Sequence, residues 1–142
     1  MFQDQYDVTA VIHMHLVLAD STTTDVAVEL GYRASDPYAV RADFTADGPT
    51  SSWLLARDVF CRGLTATQDA AAGEGDVSMW RDEDPQYLLI SLTAGPGTAL
   101  LAAPARPVEQ FLAETLALVP AGSESGRVDA ALDSFVASIL AF

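Results

Sequence analysis

The 142-residue chain carries 20 Asp and Glu against 7 basic residues, all of them Arg, for a formal net charge of −13. Half of its residues are hydrophobic and 19% are charged, which excludes the composition of a disordered chain and predicts a single folded domain over residues 1–142. So negative a chain repels phosphate backbones, and Cys61, its only cysteine, excludes an intrachain disulfide.

The stretch from Met1 to Asp7 lacks the positive region of a secretory signal, and no apolar run reaches the length of about 18 residues that a membrane span needs, so the expected compartment is the cytoplasm. From Val8 to Leu18 the residues alternate. Ala10, Ile12, Met14, Leu16 and Leu18 face one way, and Thr9, Val11, His13, His15 and Val17 the other, as in a half-buried strand. After the turn-like Asp20-Ser21-Thr22-Thr23, a second strand sets Val26, Val28, Leu30 and Tyr32 inward against Asp25, Glu29 and Arg33. Ser35-Asp36-Pro37 signals another turn, and Tyr38, Val40, Ala42 and Phe44 then alternate with Arg41, Asp43 and Thr45, completing an antiparallel meander of three strands.

Beyond Asp47-Gly48-Pro49, residues Ser51 to Arg57 read as a fourth strand, and Asp58 to Gly63 as a turn or a short helical piece. Thr67 to Gly75, rich in Ala and Gly, reads as an exposed loop dividing the domain into halves. Asp76 to Arg81, Tyr87 to Thr93 and Thr98 to Ala102 are predicted strands, with Gly95-Pro96-Gly97 as the hairpin between the last two. Pro107 suits a helix's first turn, Val108, Phe111, Leu112, Thr115, Leu116 and Val119 form one helical face, and Pro120 stops it. A final helix is predicted from Val128 to Phe142, packed on its own subunit or at an interface.

Several constellations offer residue types used in chemistry. His13 and His15 project from one strand face as two metal ligands would, but only carboxylates such as Glu29 remain to complete a site, so cross-strand hydrogen bonding is the expected role and no metal or other cofactor is expected. Glu74, Asp76, Asp82, Glu83 and Asp84 lack the spacing of a calcium loop and read as solvated charge. Cys61 lies in an apolar stretch with no nucleophile elbow, so no catalytic residue is expected. Trp53, Trp80, Phe44 and Tyr38 would suit base stacking only beside a positive groove, and core packing is the simpler reading.

Asp36-Pro37-Tyr38-Ala39-Val40-Arg41, Trp53-Leu54-Leu55-Ala56-Arg57-Asp58, Gly73-Glu74-Gly75-Asp76-Val77 and Phe111-Leu112-Ala113-Glu114-Thr115 together resemble the SsgA-like proteins of actinobacteria, SsgB-like members above all. Gly63-Leu64 and the run from Val119 to Glu124 extend the likeness, which spans Val8 to Glu124 in order and spacing. The resemblance implies an α+β fold of two antiparallel, barrel-like sheet halves with packed helices, similar to the Whirly and guide-RNA-binding proteins. It also implies a non-catalytic regulator of cell division and sporulation septation, acting at the division septum. Its partners would be the tubulin-like FtsZ and other SsgA-like proteins, and its assembly a homo-oligomer, a trimer by analogy. Arg41, Trp53, Arg57 and Asp58 lie in the family-like stretches and are the candidate interaction residues, with an Arg to Asp pair and a core Trp as their structural alternative. The Whirly likeness raises single-stranded nucleic-acid binding as a rival function; a lysine-free chain of this charge is not expected to bind nucleic acid or to insert into a membrane.

Overall fold

The computed structural model describes residues 5–126 and residue 136. Four strands come first: β1 (Val8–Val17), β2 (Thr23–Arg33), β3 (Asp36–Thr45) and β4 (Thr50–Ala56). Helix α1 (Arg57–Gly63) follows, then a 3-10 turn at Gln68–Ala70. A second set of four, β5 (Ala72–Glu74), β6 (Val77–Arg81), β7 (Tyr87–Ala94) and β8 (Gly97–Pro104), leads into α2 (Ala105–Leu118). Four strands and then a helix is thus the order of each half. All neighbouring strands run antiparallel, in the order β4-β3-β2-β1-β8-β7-β6-β5, so the two predicted halves are one continuous sheet. The seam is short, joining His15–Val17 of β1 to Leu100–Ala102 of β8.

The inward alternation is largely as predicted, because a period of two puts every second side chain on one face. Ile12, Val28 and Phe44 form one buried cross-strand row, and Met79, Ile90 and Leu101 another. Each such side chain contributes about 1.5–3 kcal/mol on leaving water. Helix α1 packs chiefly on β5 and β6, and α2 on β1, so each helix braces the other half's strands. The face of α2 is the predicted one: Val108, Phe111, Leu112 and Thr115 are buried, and Val119 caps its end.

Three expectations are corrected. Tyr38 points outward, 52% exposed, because the β2–β3 register shifts between Tyr32 and Arg33; Tyr32 Oη uses the displaced chain, donating to the Pro37 carbonyl at 2.9 Å. Leu18 lies past the end of β1 and is 42% exposed. The Ala- and Gly-rich segment from Thr67 to Gly75 holds the 3-10 turn and edge strand β5, whose Ala72 is buried beneath the sheet's helix layer. The final helix expected from Val128 to Phe142 lies, apart from residue 136, outside the described residues.

Glycine is required at two contacts of this frame. Gly95, at φ 56°, opens the two-residue hairpin turn that Pro96 completes between β7 and β8. Gly63 lets α1 lie against β6: a Cβ there would stand 2.7 Å from the Cβ of Met79. Alanine gains about 1 kcal/mol in helix propensity, but crowding against a backbone-anchored atom costs about 1–3 kcal/mol. Gly63→Ala is therefore expected to lower the thermal midpoint, and an unchanged or raised midpoint in a melting experiment would contradict this docking.

Candidate interaction surface

The first turn of α1 places Arg57 where α2 ends. Its side chain is 2% exposed, and Nη1 donates to the carbonyls of Thr115 (3.1 Å) and Val119 (2.7 Å). Nη2 donates to Glu124 Oε2 at 2.9 Å, and the guanidinium lies 5.0 Å from the centre of the Tyr32 ring. A cation at the C-terminal carbonyls of a helix is favoured by both hydrogen bonding and the helix dipole, and the Thr115 carbonyl oxygen accepts from it beside the Val119 N–H. Arg57 is therefore an internal clamp joining β2, α1, α2 and the segment after it, and it presents no surface to a partner in this chain.

Glu124 completes the clamp. Its Oε1 accepts from the Gly122 N–H at 2.7 Å, and its side chain is 17% exposed. Hydrogen bonds from its own backbone N–H and from Arg57 hold its carboxyl below the ordinary glutamate range, against the smaller opposing effect of burial. A depressed carboxyl pKa contributes stability that is complete above the unfolded value, about 4.3, and lost as pH falls through the folded value. The acid limb of a stability-versus-pH curve should accordingly be shallower for Glu124→Gln than for the wild-type chain; identical limbs in urea titrations would contradict the linkage.

The other candidates separate. Arg41, on the outer face of β3, donates from Nε to Asp43 at 3.2 Å, and Asp58 accepts from Arg62 one helical turn on, at 2.7 Å. These are the Arg to Asp pairs, and Arg57 takes a Glu in their place. Trp53 is half-buried on the inner side of β4 and lines an open apolar cleft of about 510 Å³. The cleft lies where the inner faces of the two halves meet at the β3–β4 and β7–β8 turns, between Leu16, Phe44, Pro49, Trp53, Leu92 and Leu101. Ser51 gives it a hydroxyl, while the hydroxyls of Thr50 and Thr98 pair with those of Thr45 and Thr93, and among the described residues no charged one lines it. The sequence puts Leu16, Phe44, Trp53, Leu92 and Leu101 in strands and Pro49 in a chain break, and the opening between them escapes it, since alternation identifies a face but not where two faces part.

Among the remaining motifs, His15 Nδ1 lies 3.1 Å from Asp25 across the β1–β2 register, beside exposed His13. No group of three or more His, Cys, Asp or Glu gathers in a metal-holding arrangement among the described residues. Cys61 is half-buried, and burial pushes its thiol pKa up, opposite to the shift that activates a nucleophile. Trp80 lines a separate polar hollow with Leu64 to Asp69, so the aromatics form no common platform. No helix among the described residues is long and apolar enough to cross a membrane.

A curled antiparallel sheet braced by two helices, with an apolar cleft at its open end, defines a sheet-scaffold protein of α+β class. The family model for the Streptomyces sporulation and cell division protein SsgA matches residues 26–124. The sporulation-specific cell division protein SsgB of Streptomyces coelicolor is 39% identical over 137 residues, covering 94% of this chain and 96% of the relative. Its Thermobifida fusca counterpart is 33% identical over 125 residues, covering 86% and 88%. A crystal structure of an SsgA-like sporulation-specific cell division protein from Thermobifida fusca superposes with a TM-score of 0.80 at 32% identity, covering 92% of this chain and 93% of that one. A structure from a study of SsgB mutations and longitudinal cell division in Streptomyces coelicolor gives 0.76 at 38% identity, covering 84% and 94%. The chain belongs to the SsgA family, and its relatives place it in the SsgB-like branch.

Proposed function

We propose that this protein is a non-catalytic regulator of sporulation-associated cell division, working at the septum in the cytoplasm by binding division proteins and helping to position or promote FtsZ assembly. The observation that carries this reading is the relation to SsgB through 94% of the chain, which includes both halves of the sheet and the Arg57 clamp. The repeated order of four strands and a helix supports a Whirly-like arrangement and, by analogy, a homotrimer. An anisotropy titration of labelled FtsZ with the purified protein tests the binding, and saturable binding is expected. A flat titration with correctly folded protein would overturn direct recruitment. In size-exclusion chromatography with light scattering, the expected mass is three times the 15.0 kDa chain, at low and high salt alike. A monomer in both conditions would refute the trimer.

Single-stranded nucleic-acid binding is the weaker reading. Arg41, Arg57, Arg62 and Arg81 each face a carboxylate, so these arginines supply no unpaired positive groove for phosphates.

A further inference from the structure

The two edges of the sheet are treated differently by the sequence. Edge strand β5 is three residues long, one of the ways in which proteins blunt an edge against unwanted pairing. Edge strand β4, Thr-Ser-Ser-Trp-Leu-Leu-Ala, is seven residues long and has no charge, no proline and no register shift against β3. Among the described residues β3 is its only ladder partner. Thr50, Ser51 and Ser52 are exposed, and Leu54 is 70% exposed. The inner side of this edge, at Ser51 and Trp53, is also one wall of the apolar cleft.

The geometry points to β4 as a strand-addition site for an extended partner segment, apolar at alternate positions and flanked by basic residues. Added to this edge, a ninth strand would satisfy the outward backbone groups of β4 and set every second side chain over the cleft, at the spacing of two that a pleated strand imposes. The uncharged lining selects apolar groups there. Asp47, exposed beyond the start of β4, and the net charge of −13 select positive flanks, while Asp58 beyond its end is shared with Arg62. A second copy of this chain, itself at −13, brings no net positive charge to these flanks, so the proposed trimer is expected to meet through another surface. This inference deepens the proposed function by naming a surface and the chemistry of its partner, and rests on that reading only for the partner's being a division protein.

A labelled synthetic peptide, Arg-Arg-Val-Thr-Val-Thr-Val-Arg-Arg, tests the edge without FtsZ, so its failure is distinct from failure of FtsZ recruitment. Two analogues carry backbone N-methyl groups, one on every Val and one on every Thr. Since the N–H groups of alternate residues point to opposite edges of a strand, one analogue should lose affinity by about tenfold or more and the other should keep it. Ser51→Lys, which sets a charge at the rim from an exposed position, should abolish binding while keeping the wild-type urea midpoint. No binding of the parent peptide, or equal binding of all three peptides, would overturn the proposal. So would full binding by the folded Ser51→Lys protein, or a wild-type dimer that this substitution dissolves, which would assign the edge to a second copy.

Discussion

Arg57→Met is expected to cost about 3–5 kcal/mol of folding stability, the range for removing one partner of a buried ionic pair. Methionine fills much of the same space, so the loss falls on the polar partners. The Val119 carbonyl loses the Arg57 donor, the Thr115 carbonyl keeps only the Val119 N–H, Glu124 loses its counter-charge, and the Tyr32 ring loses a cation at its face. Arg57→Lys should recover only part of the loss, because an ammonium keeps the charge without the planar fork that reaches two carbonyls and a carboxylate together. In urea titrations the midpoint should fall for both variants, further for Met, with the slope unchanged. In a chain of this size such a loss corresponds to a drop of about 10 °C or more in melting temperature. A midpoint within error of wild type for Arg57→Met would show that the clamp carries no net stability.

Phe111→Ala should be of similar size, about 3–5 kcal/mol. Phe111 is 1% exposed and is the largest buried side chain of α2, the helix that packs on β1 and, to a lesser extent, on β8. Its removal leaves a cavity and loosens the helix whose last carbonyls hold Arg57. The two substitutions act on one docked element, so their costs should not add. In a double-mutant cycle the combined loss should fall short of the sum by at least about 0.5 kcal/mol. Strict additivity would mean that α2 docks and Arg57 clamps independently.

Much of this frame is legible in the sequence. The alternation from Val8 to Leu18 and the face from Val108 to Val119 give strands and helix directly, because burial on one side selects apolar residues at the period of each element. The register shift that turns Tyr38 outward left no such mark, since the hydrogen bond that accompanies it runs from Tyr32 to a backbone carbonyl, which any residue at 37 supplies. Strand β5 was hidden because Ala-Gly-Glu has little strand preference and is held by pairing with β6. For Arg57, the family-like stretch marked the residue but not its burial. Its partner Glu124 is 67 residues away, and only the fold joins them. The cleft was least legible of all, since it depends on how far the sheet curls before its two inner faces meet.

The claim that the protein acts on the division machinery is tested most directly by sedimenting FtsZ of the source organism, assembled with GTP, in the presence and absence of this protein. The protein is expected to enter the pellet with the filaments and to raise the amount of FtsZ sedimented, and the Ser51→Lys protein to do so less well. A folded wild-type protein that stays in the supernatant and leaves the sedimented FtsZ unchanged would contradict that claim.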